Sequence, residues 1–326
     1  MSSGSGELVF EMGTPNDAGF WSDVFTAAQP TRPVDPLVMR YMWEHPARLW
    51  RNARYIVWRG GERIGVASWE RPDWDRAEKR FALTGGELLP EFREAGALAG
   101  IYKQMEREVL AEGAAIVRGS VNDDDPLRAQ VLRSLRYRED RRSRRWELDL
   151  IGGRARILAM TEASRAKMRQ EGVRLLTLEE DTDPEAVRKI WCLSEEAAHD
   201  VPNTLGNVEE SLEDYVEWFD SPEIRRDRAW LARLGEEIVG ISLLGYPPVR
   251  GVVGTEWTAT ARSVRGRGIA RALKCETLAQ AIALGVDRVR TGNDAKNDPI
   301  LHINESMGYQ LIAGRMDFLK DAPASS

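Results

Sequence analysis

The sequence predicts an α/β protein made of two copies of one fold, each a mixed sheet flanked by helices. Three observations carry that reading. The chain has 326 residues, which at roughly 150 per domain suits two domains. The segment VRGSVNDDDPLRAQVLRSLRY, ending at Tyr137, returns as VRTGNDAKNDPILHINESMGY, ending at Tyr309, 172 positions later. Each segment opens on Val-Arg, passes an Asn-Asp pair and a Pro, and closes on Tyr, with 19 positions from Arg118 to Tyr137 and from Arg290 to Tyr309. The same offset also relates residues not used to find it. Arg265 falls on Arg93 and Gly268 on Gly96, and both copies then enter an alanine-rich helix. The copies are expected at residues 7–150 and 171–320, joined through 151–170.

Within the second copy each element has its own signal. VRLLTL at 173–178 reads as a strand, and Pro184 marks the first turn of a helix running toward Ala197. A second helix is expected over 208–219. AWLARL and EIVGISLLGY form two strands around the turn at Gly235-Glu236. GTEWTATAR is a further strand, followed by a helix from Gly268 to Leu284. VDRVRT, a helix over 298–306, and the strands YQLIAG and RMDFLK complete the copy.

Composition bounds the class. Apolar residues make up 42% and charged residues 30%, enough for two cores in a soluble chain. No window approaches the apolar length of a membrane span, and MSSGSGELVFEMG lacks the flank and core of a signal peptide. Residues 1–6 read as a disordered start, and the expected location is cytoplasmic. Two cysteines and three scattered histidines predict neither a disulfide framework nor a metal site. A net charge of −6 argues against nucleic-acid binding. Charge is unevenly placed: seven arginines lie between Leu132 and Trp146, and residues 179–223 are strongly acidic. Both runs read most simply as solvated faces, although Glu209, Glu210, Glu213, Asp214 and Glu217 could steer a cationic amine.

The stretch SVRGRGIARALK lies between a strand and a helix. Gly266 and Gly268 allow a tight turn that exposes successive N–H groups at the helix start, a setting for phosphate or pyrophosphate. Arg265 and Arg267 add charge-assisted contacts. A P-loop is excluded because Ile269-Ala270 follows the last glycine, and a dinucleotide fingerprint because Arg271 occupies its third glycine position. Here the chain resembles the GCN5-related N-acetyltransferase (GNAT) family, whose R-G-x-G-(I/L)-(A/G) loop cradles the coenzyme A pyrophosphate. Arg265, Gly266, Arg267, Gly268, Ile269 and Ala270 carry the resemblance, with Asn297, Gly308 and Tyr309 matching the family's later signature. It covers residues 172–320 well and the first copy in layout only. Ser263 departs from the Gln or Arg frequent at that point, with Arg262 beside it.

The first copy reads PEFREAGALAG, with Glu94 in place of the first loop glycine. A Cβ and a carboxylate there oppose coenzyme binding. The expectation is a degenerate first domain that packs against the second, a layout that resembles tandem members of the family such as mycothiol synthase.

The resemblance implies acetyl-coenzyme A as co-substrate and direct attack by an amine in a ternary complex. It also implies that backbone groups around Thr258, Ala259 and Thr260 bind pantetheine and polarise the carbonyl. Glu256 is the first choice of base, since strand alternation sets Glu256, Thr258 and Thr260 on one face. His199, with Asp200, is the alternative. The family's usual thiolate acid, seven residues after the motif Asn, falls on Asn304, whose amide could hydrogen-bond the sulfur but supplies no titrating proton. The acid itself stays open.

Three functions fit. The first is an N-acetyltransferase for a small amine-bearing metabolite, active in the second domain. Tandem relatives often serve thiol or natural-product biosynthesis, which supports it by analogy. The second is a protein or peptide acetyltransferase, and the third a non-catalytic acyl-coenzyme A binder. The acceptor, the acyl length and the oligomeric state are left open by the residues.

Overall fold

The repeat survives strand for strand in the computed structural model, which describes residues 6–323. Residues 1–5 of the start expected to be disordered over 1–6 lie outside the described residues. In the first half the strands are β1 (Val9–Met12), β2 (Trp50–Arg59), β3 (Glu62–Pro72), β4 (Phe81–Leu88), β5 (Ile116–Asn122) and β6 (Arg138–Asp149). The second half supplies β7 (Val173–Thr177), β8 (Ala229–Leu234), β9 (Glu237–Gly245), β10 (Gly254–Thr260), β11 (Arg288–Asp294) and β12 (Gln310–Asp321). β5 and β11 start 172 residues apart, as do β6 and β12.

The helices follow the same plan. α1 (Ala18–Ala28) and α2 (Pro36–Glu44) precede β2, α3 (Ala95–Ala111) links β4 to β5, and α4 (Pro126–Ser134) links β5 to β6. α5 (Arg154–Gln170) joins the halves. α6 (Ala186–Ala198) and α7 (Leu212–Trp218) lie between β7 and β8, α8 (Ile269–Ala283) follows β10, and α9 (Asp298–Met307) precedes β12. The acidic residues 208–211, expected in a helix, instead precede it, because Ser211 caps α7 by accepting from the Asp214 N–H at 3.0 Å.

All twelve strands form one sheet, in the order β1-β2-β3-β4-β5-β12-β6-β11-β10-β9-β8-β7. The last strand of each half has therefore crossed into the other. β12 pairs with β5 from Arg315↔Asn122 to Asp321↔Ile116, and β6 pairs with β11 in the matching register, Asp294↔Ser143 to Arg288↔Asp149. The run of seven arginines, read as a solvated face, thus lies on and just before a central strand, with Arg133 and Arg136 exposed ahead of it. Arg141 and Arg145 are half-buried there, while Arg138, Arg142 and Arg144 stay exposed, as strand alternation requires.

The joining segment is structural. α5 packs along α8, burying Ile157, Thr161 and Met168. The Thr161 hydroxyl donates to the Ile157 and Cys275 carbonyls, and the Arg165 guanidinium clasps the buried Glu276 carboxylate through two bonds of 2.7 Å. α8 presses on β9 so closely that a Cβ at Gly240 would sit 2.8 Å from Leu273. Glycine is what lets the helix approach, and with it the loop at its start.

Candidate active site

The loop ahead of α8 is built from its glycines. Gly266 has φ +79° and Gly268 +90°, the left-handed region that L side chains disfavour. A Cβ at Gly266 would meet no atom within 4 Å, so the space beside the loop is open and backbone conformation alone demands glycine. No side chain caps α8, leaving its first N–H groups free to face an anion. Ile269 is buried and anchors the helix on the sheet, and Ala270 follows it into the first turn.

Each loop arginine already holds a carboxylate. Arg265 pairs with Asp200 at 2.7 Å and donates to the Thr260 carbonyl, Arg262 pairs with the same Asp200, and Arg267 pairs with Glu171. The two guanidiniums hold the Asp200 carboxyl well below the usual carboxylate range. Lys167 of α5 brings its Nζ to 3.2 Å from where a Gly268 Cβ would stand. Sequence reasoning missed this lysine because it lies in the segment read only as a joint.

The first half lacks this cradle. There the helix begins at Ala95, two residues after Arg93, whereas α8 begins four residues after Arg265. Glu94 is extended with φ −122°, and Gly96 falls inside the helix. Arg93 is bound between the buried Glu87, at 3.0 Å, and Asp125, and Glu94 pairs with Arg59.

Beside the second-half loop the sheet opens. β10 and β11 are parallel neighbours paired only at Gly254↔Arg290, while β10 keeps its other edge bonded to β9 as far as Thr260↔Gly240. One edge of β10 through Thr258, Ala259 and Thr260 is therefore without a strand partner. Where the wedge closes lies a cavity of about 280 Å³, lined by Gly254 and Thr255 of β10 and by Thr291 and Gly292 of β11.

A β-bulge between Thr255 and Trp257 makes Glu256 the extra residue. This corrects the expected alternation of Glu256 with Thr258 and Thr260, since a bulge breaks the two-residue period. The Thr258 hydroxyl bonds to Ser242 at 2.8 Å, and Trp257 Nε1 donates to Ser194 Oγ. Glu256 Oε1 lies 2.8 Å from the Cβ position of Gly245. Desolvation raises the Glu256 pKa, although part of the residue remains open to solvent.

Glu223 is the carboxylate that sequence reasoning missed. Its pKa is pushed up to about 7, by desolvation first and then by Glu256 and Asp35. Asp35 comes from the first half and caps α2. It also accepts the N–H groups of Val249 at 2.7 Å and Arg250 at 2.9 Å, tying the halves together at this wall of the cleft. Burial works against its ionisation, but the four backbone N–H bonds outweigh burial and hold its pKa low. No local pattern marks Glu223, because the fold alone brings it to Glu256.

The remaining candidates sit elsewhere. His199 ends α6, exposed, with Nδ1 at 2.7 Å from the Glu195 carbonyl. Asn297 is the N-cap residue of α9. Asn304 is fully buried, and its Nδ2 donates to Asn293 Oδ1 at 2.8 Å. One N–H of the amide expected to meet a leaving sulfur is thus held by Asn293, near the open end of β11, while its Oδ1 is buried without a hydrogen-bond partner. Of the acidic run, Asp214 and Glu217 pair with Arg48 and Glu209 with Arg76, both from the first half, so these groups clamp the halves.

The acetyltransferase (GNAT) family model matches residues 185–309. A search of curated proteins returns no significant match. Among solved structures, a tandem GNAT protein from the clavulanic acid biosynthesis pathway superposes with TM-score 0.74 at 17% identity, covering 98% of this chain and all of that one. A GCN5-related N-acetyltransferase from Sphaerobacter thermophilus gives TM-score 0.66 at 18% identity, covering 96% and 95%. A fungal glucosamine N-acetyltransferase region gives 0.68 at 13%, covering 98% of this chain and 39% of the multidomain chain that holds it. Among the described residues no helix is long and apolar enough to cross a membrane. Residues 185–309 thus match the GNAT acetyltransferase domain, and the whole chain has the fold of the tandem GNAT structures.

Proposed function

We propose that the protein is an acetyl-coenzyme A dependent N-acetyltransferase for a small amine, with its active site in the second half. The observation that carries this reading is the pairing of a left-handed glycine loop with a splayed strand edge. Only the second half has both. The loop N–H groups, with Arg265, Arg267 and Lys167, suit the pyrophosphate, and the free edge of β10 from Thr258 to Thr260 suits the pantetheine amides. The coenzyme supplies a thioester carbonyl. Glu256, coupled to Glu223, takes the proton from the acceptor ammonium. The C–N bond then forms as the C–S bond breaks, the acylated nitrogen gives its second proton to solvent, and the leaving thiolate takes a proton from solvent. His199 stands as the alternative base, and Asn304 acts through Asn293 on the geometry of the wedge.

The small-molecule reading is favoured over a peptide acceptor by the first half. Arg32 and Pro33 line the cavity and Asp35 ties down the loop after β9, so first-half residues stand along one side of a site that is open to solvent on the other. The test is release of free thiol from acetyl-coenzyme A over a panel of small primary amines and lysine peptides. Turnover with small amines and none with peptides is expected. Turnover confined to peptides would shift the reading to a protein acetyltransferase, and none at all to a binding protein.

A further inference from the structure

The cavity at the closed end of the wedge is lined by three arginines, Arg32, Arg145 and Arg290, and by no acidic residue. A second cavity of about 290 Å³ shares Arg32 and Arg145, adds Arg128 and Arg315, and again has no acid in its lining. Most of these guanidiniums have counter-ions. Arg290 pairs with Glu147 at 2.7 Å, Arg32 with Asp124 at 3.0 Å, Arg315 with Asp317 at 3.2 Å, and Arg128 with Glu87 and Asp125. Arg145 is the exception. Among the described residues its one side-chain bond runs from Nη1 to Asn122 Oδ1 at 2.6 Å, and no carboxylate pairs with it.

Arg145 is half-buried. Desolvation, then repulsion from Arg32 and Arg315, pushes its pKa down to about 10 against the pull of Asp124 and Asp123. It remains cationic at neutral pH. A partly desolvated charge facing an open cavity without a counter-ion is costly unless a ligand supplies the opposite charge. The planar fork of a guanidinium fits the two oxygens of a carboxylate or phosphate.

We propose that the acceptor amine also bears an oxyanion, a carboxylate or a phosphate, and that Arg145 together with Arg32 binds it in this cavity. The inference rests on the acetyltransferase reading and names its substrate class. It also gives the first half a role in specificity, since both arginines belong to it. The geometry places opposite demands at two ends of one site. Gly254 lines the cavity, and its Cβ position lies 3.8 Å from Glu256 Oε1, so the ammonium meets the Glu256 and Glu223 carboxylates while the oxyanion meets the arginines. The volume lies near the lower end of the roughly 300–1,000 Å³ usual for small-molecule sites, which points to a compact acceptor of amino-acid size.

The test measures kcat/KM by thiol release on matched amine pairs, β-alanine with propylamine and phosphoethanolamine with ethanolamine. Wild type, Arg145→Gln, Arg145→Lys and Arg32→Gln are compared, and acetyl-coenzyme A binding is followed by calorimetry in each. The anionic member of at least one pair is expected to lead by about tenfold or more, chiefly through KM. Arg145→Gln is expected to collapse that preference and Arg145→Lys to restore part of it, with the acetyl-coenzyme A Kd little changed. The pair with the larger preference tells carboxylate from phosphate. Equal use of charged and neutral amines, or a preference that survives both Arg145→Gln and Arg32→Gln, overturns the anion site and leaves the acetyltransferase reading standing. Failure to bind acetyl-coenzyme A or to release thiol with any amine overturns both. Should Arg145→Gln not fold, Arg32→Gln carries the same comparison.

Discussion

Ser143 and Arg315 are paired across the middle of the sheet, and they occupy the same position of the repeat, 172 residues apart. The pairs Gln310↔Glu147 and Leu319↔Arg138 are likewise each other's images under that offset. A pseudo-two-fold axis therefore passes through the Ser143–Arg315 pair, and β6 and β12 cross it to complete each other's half.

This exchange makes the halves interdependent. Without β12, β5 becomes a bare edge in the first half, and without β6, β11 becomes one in the second. Residues 1–150 and 151–326 produced separately are expected to aggregate or melt without cooperativity, and to recover one cooperative transition when co-expressed. Circular dichroism and size-exclusion chromatography would show it. A soluble, cooperatively folded isolated half would refute the interdependence.

Glu256→Gln keeps the shape of the bulge and removes the base. A loss of about 10²–10⁴-fold in kcat is expected, with acetyl-coenzyme A binding retained, because the loop and the free edge of β10 are untouched. In wild type the acidic limb of kcat/KM is expected above the ordinary carboxylate range, the direction in which desolvation moves Glu256. A limb that sits at an ordinary carboxylate value, or full activity in the variant, would transfer the role to His199.

Glu223 also leaves a signature in stability. Its folded pKa of about 7 stands above an unfolded value of about 4.3, so between those values the native state binds more protons and stability falls as pH rises. The Glu223→Gln variant escapes that cost. Its Tm is expected to match wild type near about pH 4 and to exceed it by several °C near about pH 8, since a rise from about 4.3 to about 7 corresponds to roughly 3–4 kcal/mol before solvent screening. A pH-independent difference, or one of opposite sign, would contradict the placement of Glu223 against Glu256.

In the proposed coenzyme site Asp200 would compete with phosphate for Arg262 and Arg265. The pairs are exposed and individually weak, so Asp200→Asn is expected to fold normally and to tighten acetyl-coenzyme A about two- to fivefold. The salt dependence of Kd should steepen as the freed guanidiniums engage phosphate. Weaker binding would mean instead that Asp200 positions the loop.

Much of this was legible in the residues. The repeat predicted the paired elements, because turn residues and apolar periodicity are local and the offset carried them from one half to the other. The glycine loop was legible because only glycine tolerates φ of +79° and +90° at Gly266 and Gly268. What escaped depends on contacts distant in sequence. No local signal tells β6 and β12 which half to complete, since either pairing presents the same pleat. The bulge at Glu256 breaks an alternation that the residues themselves suggest. Glu223, Lys167 and Arg145 acquire their surroundings only from partners on other elements, and nothing local marks Arg141 and Arg145 as the half-buried members of an otherwise exposed arginine run.

The account stands on the second half holding the coenzyme, and calorimetric titration of acetyl-coenzyme A into wild type and Gly266→Glu tests that most directly. At this left-handed position any side chain is strained, and glutamate adds the charge that Glu94 carries in the first half. One-site binding in wild type, abolished by the substitution in a chain with unchanged melting behaviour beyond the roughly 1 kcal/mol cost of the strain, is the predicted result. Binding that survives Gly266→Glu would place the coenzyme in the first half and contradict the assignment of the site.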